Sequence, residues 1–106
     1  IRIKECFNNF KILVSEIDRN VIGFIIFYTF NWDKGKMGMI EDFCAKKEYR
    51  GKGIGKKLMT EAELILKKEK VEGIWMQVHR RARVLNFYKK ISYKENGLII
   101  LTKEIK

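Results

Sequence analysis

The segment Arg50-Gly51-Lys52-Gly53-Ile54-Gly55-Lys56-Lys57 carries the clearest chemistry in the chain. Its glycines let the backbone turn tightly and bring N–H groups close to a bound anion. The apolar positions Ile54, Leu58, Met59, Ala62, Ile65 and Leu66 then recur at helical spacing. The loop therefore opens onto a helix N-terminus, with its unpaired amides and a partial positive charge of roughly half a unit. Arg50, Lys52, Lys56 and Lys57 strengthen that field. Such a combination makes a pyrophosphate cradle. It is not a Walker loop, because Lys56-Lys57-Leu58 does not supply Gly-Lys-Ser/Thr. Nor is it the dinucleotide fingerprint, because Lys56 stands where a third glycine is needed.

The elements around the loop read as follows. Phe10 to Ile17 alternates as a strand, and Asp18-Arg19-Asn20 supplies a turn. Val21 to Phe30 is a near-continuous β-branched and aromatic run, the pattern of a strand buried on both faces. Met37 to Ala45 follows a polar loop as a third strand, which completes an antiparallel meander. After the long helix, from about Ile54 to Lys70, a strand spans Ile74 to Val78 and a second helix spans Ala82 to Ile91. Tyr93 to Glu95 and Leu98 to Thr102 are expected to pair through Asn96-Gly97, a strong hairpin signal. The order is β-β-β-α-β-α-β-β in one α+β domain over residues 1–106, with no linker or repeat.

Composition narrows the function classes. With 106 residues, 46% hydrophobic and 34% charged, the chain is a globular domain and not a disordered one. The uncharged stretch Val21 to Trp32 is too short for a membrane span. Cys6 and Cys44 have no disulfide or metal-ligand spacing, so no metal is expected and the thiols read as reduced, cytoplasmic and buried. The net charge of +10 is uneven: residues 1–45 hold six basic and six acidic side chains, residues 46–106 seventeen and seven. An anionic partner for the second half follows, either nucleic acid or a phosphate-bearing cofactor. Nucleic acid is the weaker reading, because no aromatic interleaves Arg80 to Arg83 and the loop glycines would have no role.

The motif Arg50-x-x-Gly53-x-Gly55 resembles the acetyl-CoA loop of the GNAT acyl-CoA N-acyltransferases, and the resemblance runs from about Phe10 onward. Ile22-Gly23-Phe24, Ile40-Glu41-Asp42-Phe43, Glu48 to Gly55 and Asn86-Phe87-Tyr88-Lys89-Lys90 look closest to the diamine (spermidine/spermine) acetyltransferases. Two departures are visible: Arg81 stands where the family often has asparagine, and Ser92 where it has glycine. The chain also starts almost at the meander, without the strand and helices such enzymes place first, so it reads as truncated or minimal. The uncovered Phe10–Ile17 strand would then expose a raw sheet edge, which suggests a homodimer.

The resemblance implies acetyl transfer from acetyl-CoA to a primary amine. Phe43, Cys44 and Ala45 would run along the pantetheine arm, with the amides of Phe43 and Ala45 pairing to it like an added strand. Arg50, Gly51, Lys52, Gly53, Ile54, Gly55 and Lys56 would hold the pyrophosphate. At pH 7.4 only about one lysine-like amine in a thousand is neutral, so a base near the acceptor is needed. Glu41 matches the family's base, whereas strand parity turns Asp42 to the other face. Tyr88 matches the acid that meets the departing thiolate, and Arg83, Lys89 and Lys90 are expected to lower its pKa. His79 reads as structural or as a contact to CoA, and Trp32 and Trp75 as packing.

Overall fold

A computed structural model describes residues 2–5, 10–33, 35–78 and 82–105, with side chains from Phe10 onward. Three long strands carry the β-branched and aromatic runs: β2 (Lys11–Ile17), β3 (Asn20–Trp32) and β4 (Gly35–Ala45). Ahead of them β1 (Arg2–Glu5) pairs antiparallel with β2, from Arg2↔Val14 to Glu5↔Lys11. This corrects the expectation of a bare β2 edge and removes the reason for covering it with a second copy. A four-residue edge strand is itself a poor template for further pairing.

After a 3-10 turn at Lys47–Tyr49 comes α1 (Ile54–Lys68), then β5 (Gly73–Met76) and α2 (Val84–Lys90). The sheet order is β1-β2-β3-β4-β5, antiparallel except for the parallel β4–β5 pair. The class is α+β, as the sequence indicates.

The apolar stripe of α1 (Leu58, Met59, Ala62 and Leu66) lies on the face that carries Leu13, Ile25, Phe27 and Ile40. Tyr88 of α2 joins the same core. Burying side chains such as Phe27 or Leu58 contributes roughly 1.5–3 kcal/mol each. Lys11 and Glu69 pair across the junction of β2 and the end of α1. The opposite face of β3 differs from the expectation of burial on both sides: Phe24, Ile26, Tyr28 and Phe30 are only half-buried.

The expected C-terminal hairpin does not form. Asn96 does make a turn, its Oδ1 accepting from the Leu98 N–H at 2.9 Å, and Gly97 has φ 84°. Its first arm is engaged elsewhere, because the Tyr93 hydroxyl donates to Glu63 Oε2 of α1 at 2.6 Å. Leu98 to Leu101 are left 59–85% exposed.

Candidate active site

The site begins with an irregularity in the β3–β4 ladder. Ile26 pairs with Asp42 but Phe27 pairs with Ile40, so Glu41 is a surplus residue and β4 bulges there. The parallel pairing with β5 ends at Ile40↔Met76, just before the bulge. From Glu41 to Ala45, β4 therefore keeps β3 on one side and has no strand on the other among the described residues. Side chains reach the backbone there instead. The Phe43 N–H donates to Asp42 Oδ1 at 2.8 Å, and the Ala45 carbonyl accepts from Arg50 Nε at 3.2 Å.

The bulge also corrects the placement of Asp42. Simple alternation turns it away from Glu41, but pairing with Ile26 places it on the face opposite the α1 core. Glu41, Asp42 and Tyr88 line one cleft of about 230 Å³, with Met76 and Val78 on its β5 side. The two residues singled out for acid and base roles thus meet at one opening.

Tyr88 is 7% exposed, and its ring contacts Phe43 and Phe87 at centroid separations of 6.1 and 5.7 Å. Burial, with the Asp42 charge as the lesser cause, raises its phenol above the ordinary tyrosine value. The expected lowering by cations does not occur, because Arg83, Lys89 and Lys90 are exposed to solvent while Tyr88 is buried. Tyr88 is accordingly a neutral hydrogen-bond donor throughout the physiological range.

At the other end of the open edge lies the glycine loop. Gly51 and Gly53 have φ of 80° and 82°, the left-handed region that disfavours side chains. Gly53 caps α1, and the first intrahelical bond runs from the Lys57 N–H to the Gly53 carbonyl. The amides of Ile54, Gly55 and Lys56 precede that bond and are free of the helix ladder. Lys52 and Lys56 are exposed beside them, whereas Arg50 is tied to Ala45. The donor set fits a pyrophosphate, and the unpaired edge beyond it fits an extended amide-bearing arm.

Cys44 is free and exposed, which corrects the expectation of a buried thiol. It stands opposite Phe24 on β3, on the face that α1 does not cover. His79 and Arg81 lie outside the described residues, as does Cys6. Sequence reasoning missed Tyr28, whose phenol is raised by burial and then by the charge of Glu41. Only the ladder, with its bulge, brings the two within electrostatic reach.

Residues 2–93 match the model of the acetyltransferase (GNAT) family. This chain belongs to the GNAT family. An uncharacterized N-acetyltransferase of Archaeoglobus fulgidus is 38% identical over 79 residues, which is 68% of this chain and 53% of that protein. The chain thus spans about half the length of this curated relative. A putative acetyl transferase from Pyrococcus furiosus superposes with a TM-score of 0.80 at 26% identity, over 90% of this chain and 66% of that one. An aminoglycoside acetyltransferase from an uncultured soil metagenomic sample gives 0.81 at 21% identity, over 93% and 68%. A ribosomal-protein-alanine N-acetyltransferase from Brucella melitensis gives 0.78 at 19%, over 91% and 72%. The last two are likenesses of fold alone.

Proposed function

We propose that this GNAT chain transfers an acetyl group from acetyl-CoA to a primary amine, by direct attack in a ternary complex. The observation that carries the proposal is the bulge at Glu41, where the β4–β5 pairing stops and the cleft holding Glu41, Asp42 and Tyr88 opens. The loop from Arg50 to Lys56 holds the pyrophosphate, and Phe43 to Ala45 align the pantetheine arm along the open edge. Phe43 and Ala45 must exchange their present side-chain partners for it.

Glu41 accepts the ammonium proton, directly or through water, and leaves a neutral amine. The nitrogen attacks the thioester carbonyl and forms the C–N bond, gives up its surplus proton to water, and the C–S bond breaks as the adduct collapses. Tyr88 donates its hydrogen bond, and finally its proton, to the departing sulfur and is reprotonated from water. With its pKa raised, the phenol delivers that proton only as sulfur charge develops. A polyamine, a small amine or a protein amine satisfies this chemistry, and the likeness to diamine acetyltransferases does not choose among them. Cysteines without disulfide spacing support a cytoplasmic location.

Calorimetry of acetyl-CoA binding, followed by a thiol-release assay across primary amines, tests the proposal. Binding at micromolar affinity and amine-dependent thiol release are expected. Acetyl-CoA binding without release for any amine would remove the transfer step, and no binding would remove the whole reading.

A further inference from the structure

The sheet face opposite α1 is paved with aromatic rings in unbroken contact. Phe10 stacks on Tyr28 at 4.4 Å, Tyr28 meets Phe30 at 6.3 Å, and Trp75 touches Phe30 at 5.5 Å and Trp32 at 5.0 Å. The register explains the shared face: Tyr28↔Met39, Phe30↔Met37 and Trp32↔Gly35 pair across β3 and β4, and Met39↔Trp75 across β4 and β5. Unlike the core, this face is only partly covered, with Tyr93 to Ile100 lining the same space. Trp32 is 51% exposed, and Tyr28, Phe30, Trp32 and Trp75 line a groove of about 1440 Å³.

The groove is continuous with the candidate active site. The charge of Glu41 reaches the Tyr28 phenol, and Asp42 shares this face through its pairing with Ile26. At the far end the Glu72 carboxylate lies where a Cβ on Gly35 would project, next to Trp32. The face is therefore bounded by carboxylates at both ends although the chain carries a net charge of +10. Lys89 and Lys94, from α2 and the segment after it, are the lysines that border the groove. Ring faces beside carboxylates favour a flat apolar body attached to an ammonium group.

Resting on the acetyl-transfer reading, we infer that the acceptor is an amine with an aromatic or similarly flat apolar body, which lies over Tyr28, Phe30 and Trp75 with its nitrogen at Glu41. Selectivity then comes from the body and not from the ammonium group alone.

The test compares 2-phenylethylamine with ethylamine, by thiol release and by quenching of tryptophan fluorescence, in the whole chain and in Trp75→Ala. The expected result is preferential binding and turnover of 2-phenylethylamine by about tenfold or more. Trp75→Ala should raise the KM for 2-phenylethylamine about three- to tenfold, raise that for ethylamine less, and keep acetyl-CoA affinity. Equal handling of the two amines, or no change in Trp75→Ala, overturns the inference while acetyl transfer stands. Burial of Trp75 in a dimer, or under the Leu98–Leu101 segment, also overturns it. Selective quenching by 2-phenylethylamine with no turnover of either amine would keep the aromatic site and remove the transfer reading.

Discussion

The Phe43 ring rests on Gly55: a Cβ at position 55 would sit 3.0 Å from Phe43 Cζ. Through this contact the open edge of β4 touches the first turn of α1, and the ring continues into Phe87 at 5.9 Å. The strand, the glycine loop and the helix of Tyr88 are thereby joined to one another.

Gly55 and Gly53 are needed for different reasons, and their variants should separate. Gly55→Val forces Phe43 aside and should cost about 1–3 kcal/mol in urea denaturation, along with acetyl-CoA affinity. Gly53→Ala meets no neighbour but must hold φ 82°, at a cost of about 1 kcal/mol. Calorimetry should show acetyl-CoA affinity reduced in both, with the melting temperature falling further in Gly55→Val. Equal stability losses would show that the Phe43 contact has no energetic weight.

Tyr88→Phe should retain acetyl-CoA affinity and lower turnover by about 10²–10⁴-fold, the usual worth of a positioned acid. The raised phenol pKa keeps the proton in place beyond pH 10, so the wild-type rate should show no alkaline decline from this group below that pH. An alkaline limb near pH 9 that disappears in Tyr88→Phe would contradict the buried phenol described above.

The two carboxylates should separate in function. Glu41→Gln should lose most activity at low pH, where few amines are already neutral, and recover towards the amine's own pKa. Asp42→Asn removes a charge that disfavours ionisation of Tyr88, so the phenol pKa should fall in an ultraviolet titration. A Glu41→Gln profile parallel to wild type at every pH would take Glu41 out of the mechanism.

Tyr93→Phe should destabilise the chain by about 1–2 kcal/mol through loss of its charged hydrogen-bond partner Glu63. Burial, followed by the Glu63 contact, raises the Tyr93 pKa strongly. The stabilisation is fully present below the ordinary tyrosine pKa and is lost as pH rises above it. Denaturation midpoints of wild type and variant should therefore converge above pH 10.

Much of this architecture is legible in residue order. Alternation from Phe10 to Ala45, helical spacing after Ile54 and the glycines between them define the meander, α1 and the loop. The local signals fail where a distant partner decides. Asn96-Gly97 has turn chemistry, yet Tyr93 is drawn onto α1 by Glu63. Arg83, Lys89 and Lys90 neighbour Tyr88 in sequence, yet burial outweighs them. The bulge at Glu41 has no local signature, so parity misplaces Asp42. β1 was missed because a run of four residues is too short to show a pattern of its own.

Glu41 is also a removable defect. Deleting it would restore an unbroken ladder, Phe27↔Ile40, Ile26↔Asp42 and Ile25↔Phe43, with every later side chain still on its own face. Nothing would then stop β5 from zipping further along β4 and sealing the cleft. The chain one residue shorter would be the more regular sheet and, on the proposed mechanism, the poorer enzyme, because it would lose a residue that the ladder itself does not need.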